Sequence, residues 1–179
     1  SRGENRVALV PSGVGMLVAT GHELYIQSGA GEGSHFSDTD YQQVGANIVF
    51  SAEEAYARGE IVVKVLPPTP EEVEHLTSGC LISFLQIAAG RKKLLDKLID
   101  EKVLAMGLEL IVDDQGRNPV VIAMSEIAGQ LAVQFAANYL LTNNGGRGLL
   151  LGAIPGTSGA VVTILGVGTL GISAARTAL

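Results

Sequence analysis

Short apolar runs rich in β-branched residues recur along the first 112 residues, and a segment carrying helix start and stop signals follows nearly every one. Residues 24–26, 46–50, 61–66, 80–85 and 103–112 read as extended. Between them, Ser12 is placed to cap a helix ending at Gly21, and Ser37 one ending at Gly45. Ser51 with Glu54 three residues on makes a capping box for a third helix. Thr69, with Pro70 in the first helical position and Glu72 closing a second box, starts a fourth that stops at Gly79. Residues 91–102 read as a fifth. Strands that stay apolar instead of alternating are buried on both faces, which is the signature of parallel βα units. The expectation is an α/β fold whose first domain, residues 1–124, is Rossmann-like with a parallel sheet.

The pattern changes after residue 112. Residues 113–118 are polar and turn-forming, and Ser125 is expected to open an almost wholly apolar helix running to about Leu141. A helix apolar all round is a buried one, here between two sheets. Helix and following loop (NNGGRG) give a connection over residues 125–148. A second domain then begins at 149–179, with a strand at 161–165 and a helix from Ile172.

Between that strand and helix lies Gly166-Val167-Gly168-Thr169-Leu170-Gly171. In this context the first glycine permits a tight turn, the second lets backbone approach a pyrophosphate, and the third lets helix and strand pack closely. The helix N-terminus adds amide donors and partial positive charge. A dinucleotide site of this type needs an acidic residue about 20 positions further on to hold the ribose. The chain ends at Leu179, so it is expected to be the front part of a longer protein, one that binds the dinucleotide poorly by itself.

Composition narrows the classes. A net charge of -6 and a pI near 5.0 leave no basic stripe to neutralise phosphates, so no nucleic-acid partner is expected. Cys80 is the single cysteine, which excludes an intramolecular disulfide and suits a cytoplasmic setting. Residues 148–175 carry no charge, but Pro155 and seven glycines break the stretch, and no membrane insertion is expected.

Several motifs occur in a specific order: ENRVAL at 4–9, Glu32-Gly33 followed by Phe36-Ser37-Asp38, VKV at 63–65 within its strand, MSEIAG at 124–129, and GGRG at 145–148 followed by Leu151-Gly152 and Pro155-Gly156. In this order they resemble the alanine dehydrogenase and pyridine nucleotide transhydrogenase alpha-subunit family, and MSEIAG and GGRG resemble the alanine dehydrogenase branch more closely. The resemblance implies an NAD-dependent oxidoreductase with a substrate domain and a Rossmann domain, an amino or keto acid and nicotinamide meeting in the cleft, and a dimer or hexamer. It implies that Arg6 grips the substrate carboxylate and that Lys64 holds the carbonyl oxygen. Cofactor contacts would come from Ser125, Gly166, Gly168, Thr169 and Gly171. Physical chemistry agrees with the first two assignments, since the arginine fork matches a carboxylate bidentately and a lysine within an apolar strand must end at a partner or a cleft.

One departure stands out. The family places a histidine where this chain has Gln86, and glutamine does not titrate. Gln86 therefore marks altered substrate, weaker activity or a catalytically silent homologue, and a transhydrogenase-type subunit is the other alternative. His22 and His35 read as solvated turn residues and His75 as half of a surface pair with Glu72, three residues away. Cys80 reads as core, and no metal site is expected because the histidine and cysteine spacing matches no zinc pattern.

Overall fold

The computed structural model describes residues 3–76 and 79–179. The chain forms two compact units, Ser1–Leu110 and Ile111–Leu179.

In the first unit, elements run α1 (Pro11–Ala19), β1 (Tyr25–Gln27), α2 (Asp38–Gln43), β2 (Asn47–Val49), α3 (Ala52–Arg58), β3 (Ile61–Val63), α4 (Pro70–Val73), β4 (Cys80–Ser83), α5 (Lys92–Asp100) and β5 (Leu104–Gly107). Each strand pair is parallel: β1 with β2, and β3, β4 and β5 in that order. Register sets Val62 opposite Leu81 and Leu81 opposite Ala105. The expected βα alternation is therefore realised, in two small sheets. Parallel neighbours need a crossover, and the helices supply it.

The start signals act as read at α2 and α4, where Ser37 and Thr69 close reciprocal capping boxes with Asp40 and Glu72. At α3 only half the box forms. Ser51 accepts the Glu54 N–H, while the Glu54 carboxylate takes the N–H of Phe50 instead. Ser12 is not a cap, because Pro11 occupies the first helical position and the cap moves two residues back to Val10. The continuation of α4 towards Gly79 passes through residues 77 and 78, outside those described.

Two apolar cores hold this unit. Val14, Tyr41 and Ala46 form one, with the Tyr41 hydroxyl donating to the Leu9 carbonyl at 2.9 Å. Tyr56, Val73, Leu76, Leu81, Leu85, Leu94 and Leu98 form the other, beside the three-stranded sheet. Burying one such leucine is worth about 1.5–3 kcal/mol.

The second unit is built on α6 (Pro119–Leu140) and α7 (Thr169–Ala178). Helix α6 opens six residues before Ser125, with Asn118 ahead of it and Pro119 in the first position. Ser125 therefore sits in the second turn and caps nothing. Nor is α6 enclosed: only Gly129 and Val133 are buried, and Ile127, Leu131, Phe135 and Tyr139 lie exposed along one stripe. It crosses α7 closely, because a Cβ on Gly129 would meet the Leu170 carbonyl and Ser173, and the Ser173 hydroxyl donates to the Glu126 carbonyl at 2.7 Å. By length and composition α6 could cross a membrane, a test that a soluble protein's core helix also passes.

The stretch 161–165, expected as a strand, is unpaired among the described residues, with Val161 and Leu165 almost fully exposed. Strand structure requires a hydrogen-bonding neighbour, and within this unit no parallel strand lies beside it.

Candidate functional site

In the first unit, chemistry gathers where β3, β4 and β5 end. Lys64 follows the last residue of β3, and its backbone N–H donates to the Ile82 carbonyl at 3.0 Å, continuing the ladder beside β4. Its ammonium donates to Glu72 Oε2 at 2.8 Å and to the Tyr56 hydroxyl at 2.9 Å, and lies 5.6 Å from the centre of the Tyr56 ring. Tyr56 comes from α3 and Glu72 from the first turn of α4, so one capping residue also serves as the counter-ion of the strand-end lysine. Burial works against the Lys64 charge, but the bonds to Glu72 and Tyr56 outweigh it and hold the ammonium above its ordinary range. Burial likewise opposes the Glu72 charge, and Lys64 and the Thr69 N–H together hold that carboxyl below its ordinary value. With Glu72 turned to Lys64, the expected pair with exposed His75 does not form.

Gln86 stands past the end of β4 in the left-handed conformation, at φ 51° and ψ 38°. For a residue with a Cβ this costs about 1–2 kcal/mol, and the surroundings must hold it there. Glu109, just after β5, does so: its two carboxylate oxygens accept the N–H groups of Leu85 at 3.1 Å and Gln86 at 2.7 Å. The Gln86 side-chain oxygen in turn accepts a hydrogen bond from Arg91 Nη2 at 3.0 Å. Parallel strands bring Lys64 and Gln86 to the same, C-terminal edge of one sheet, the usual position for a ligand site in α/β folds.

Arg6 belongs to a different part of this unit. Glu4 takes its Nε at 2.8 Å and its Nη2 at 2.7 Å, a side-on bidentate pair that fixes the plane of the guanidinium. The segment is seated on the turn after β1, where a Cβ on Gly33 would lie 2.8 Å from the Asn5 Cα and the Ser34 hydroxyl donates to the Asn5 carbonyl. Close backbone approach is what Gly33 permits. His22 and His35 are exposed, and Cys80 is half-buried at the head of β4.

The glycine loop in the second unit has the three properties its pattern requires. Gly166 turns at φ 112°, closed to most side chains. Gly168 precedes α7, and Cβ atoms built on Gly166 and Gly168 meet nothing within 4 Å, so the loop presents bare backbone to open space. On Gly171 a Cβ would strike the Gly166 carbonyl, so the helix lies against the loop as the third glycine allows. Thr169, Leu170 and Gly171 begin α7, whose first N–H groups lack partners within the helix. These residues fit a pyrophosphate. Ser125 lies in α6 of the same unit, half-exposed. Among the described residues no group of three or more histidine, cysteine or acidic side chains is placed to hold a metal.

Sequence reasoning missed Tyr56, Glu72 as a lysine partner, Glu109 and Arg91. Only Arg91, five residues beyond Gln86, lay within local reach. Tyr56 and Glu72 lie eight residues on either side of Lys64, on the helices before and after its strand, and Glu109 reaches Leu85 and Gln86 because β5 lies beside β4.

A family model described as alanine dehydrogenase/PNT, N-terminal domain, matches residues 1–128, and one described as alanine dehydrogenase/PNT, C-terminal domain, matches residues 132–179. An alanine dehydrogenase of Mycobacterium tuberculosis is 41% identical over 176 residues, covering 98% of this chain and 47% of the relative. One of Methanococcus maripaludis is 38% identical over 177 residues, again covering 98% and 47%. A solved L-alanine dehydrogenase superposes with a TM-score of 0.92 at 41% identity, covering 99% of this chain and 49% of the other. A transhydrogenase from Sinorhizobium meliloti shares the fold, with a TM-score of 0.82 at 22% identity and coverage of 99% and 53%. The chain thus spans about half the length of the relatives it matches. Both family models, in order and together covering nearly every residue, show that the chain belongs to the alanine dehydrogenase/PNT family.

Proposed function

We propose that the chain supplies the substrate-binding part and the pyrophosphate loop of an NAD-dependent oxidoreductase that interconverts an α-amino acid and its keto acid, by default L-alanine with pyruvate plus ammonia. One observation carries this reading: identity near 40% to proteins named alanine dehydrogenase, sustained across 98% of the chain. Lys64 at the strand end is the group that would hold the substrate carbonyl oxygen, and its positive charge would favour the oxygen as it gains electron density. Arg6 would take the carboxylate, with Glu4 fixing the plane of the fork. Gly166, Gly168, Thr169 and Gly171 would hold the dinucleotide pyrophosphate, and Ser125 would contact its nicotinamide side. When bound, NAD supplies the hydride acceptor for the amino acid and, reduced, the donor for the keto acid. A cytoplasmic homo-oligomer acting on a small acid completes the proposal.

Gln86 distinguishes this site. Its side chain offers an amide in place of an imidazole, with its oxygen engaged by Arg91. A proton-transfer role for the side chain is lost, a change that costs about 10²–10⁴ in rate where such a role is needed. Gln86 thus favours a second reading, a homologue that binds NAD without turnover.

Oxidation of NADH with pyruvate and ammonia, by the protein expressed from its full coding sequence, separates the two, with Gln86→His in parallel. Turnover by the wild type supports the enzyme reading. NADH binding with no turnover in either protein overturns it in favour of the second.

A further inference from the structure

Lys64 takes its partners from two helices that no sequence motif ties to it. An ammonium has three N–H donors in a tetrahedral arrangement. Glu72 and Tyr56 take two, at 2.8 and 2.9 Å, and among the described residues the third has no partner. The Lys64 side chain is 20% exposed and that of Glu72 30%. This pair is therefore partly shielded from solvent, where a charge-assisted bond is stronger than on an open surface.

The connections outward are equally specific. Tyr56 is buried in the leucine-rich core, so its hydroxyl is delivered by a side chain that cannot swing. Glu72 Oε2 also accepts the Thr69 N–H at 2.8 Å, which ties the carboxylate to the first turn of α4. Two rigid points thus fix the end of a side chain that would otherwise rotate freely about four bonds.

From this geometry we infer that Tyr56 and Glu72 are positioning residues that clamp Lys64, directing its one remaining N–H to the substrate carbonyl oxygen. This inference rests on the proposed function for the role of Lys64, and on the distances alone for the clamp. Tyr56 on α3 and Glu72 on α4 are the titratable groups that act on Lys64, while β4 offers it backbone only. Loss of the Glu72 charge leaves burial opposed by Tyr56 alone, so the lysine deprotonates more readily.

Two readouts in the protein from the full coding sequence test this. Competitive acetylation with acetic anhydride reports the neutral fraction of Lys64, read by mass spectrometry across pH. Glu72→Gln is expected to raise the Lys64 rate at pH 8 about tenfold, equivalent to about 1.4 kcal/mol, and to move its pH midpoint down. Glu71→Gln, the same charge change on the exposed neighbour, is expected to leave both within about twofold. Steady-state kinetics supply the second readout: Glu72→Gln lowers kcat and moves the basic limb of its pH profile to lower pH, and Tyr56→Phe lowers kcat. An unshifted acetylation midpoint in Glu72→Gln overturns the clamp. A Lys64→Ala variant as active as wild type overturns the proposed role of Lys64 instead. Loss of activity in Lys64→Ala beside a wild-type kcat and pH profile in Glu72→Gln overturns the positioning role while leaving the function intact.

Discussion

Replacing Glu109 by glutamine removes the group that holds Gln86 in its left-handed conformation, and the cost can be worked from the contacts. The carboxylate accepts two backbone N–H groups, at 2.7 and 3.1 Å. A hydrogen bond to a charged group contributes about 1.5–3 kcal/mol. Glu109 is half-exposed, so the lower end of that range applies to each. Two such bonds exceed the 1–2 kcal/mol or so that the left-handed backbone costs, which is why the turn holds. The amide of Glu109→Gln retains one accepting oxygen and turns an NH2 towards the other N–H. One bond is lost and two donors face each other. The expected destabilisation is about 1.5–3 kcal/mol, and the melting temperature of a chain this size falls about 2–4 °C for each. Denaturant titration followed by far-UV circular dichroism measures it, with unchanged slope if the effect lies in the native state. Stability within about 0.5 kcal/mol of wild type would refute the reasoning, because it would mean that the turn holds its shape without the carboxylate.

Two further expectations follow from other contacts. The Glu72 carboxyl is held below its ordinary value of 4.5, so its native charge contributes stability that is complete above that value and lost as pH falls through the depressed one. Glu72→Gln should therefore flatten the loss of stability below pH 4.5 in acid titrations, and an unchanged acid limb would contradict the Lys64 pair. Gly171→Ala places a methyl group against the Gly166 carbonyl. Overpacking of this kind costs about 1–3 kcal/mol, more than the roughly 1 kcal/mol that alanine gains over glycine in a helix. Lower stability with weakened NADH binding is expected, and wild-type values in both would contradict the close approach.

What the sequence disclosed was local. Caps at Ser37 and Thr69 and the glycine loop before α7 are written in neighbouring residues, and the structure has them in place. The start of α6 was also local, in Asn118-Pro119, but Ser125 before an apolar run resembled a cap more strongly. Burial of α6 and pairing of residues 161–165 were not local at all. Both depend on neighbouring elements, and apolar content reports only that a surface is suited to being covered. The same limit governed the site. Lys64 was visible as a charge in an apolar strand, whereas its partners Tyr56 and Glu72 reach it from α3 and α4, each eight residues away. Gln86 was visible as a departure, whereas Glu109 reached it only because β5 lies beside β4.

The most direct test of the central claim is a paired measurement on Lys64→Ala in the protein from the full coding sequence: NADH affinity by calorimetry, and NADH oxidation with pyruvate and ammonia. The account predicts unchanged affinity, because the glycine loop holds the dinucleotide, and turnover reduced by about 10² or more, because an electrostatic contact to the reacting oxygen is gone. Turnover at the wild-type level would contradict it.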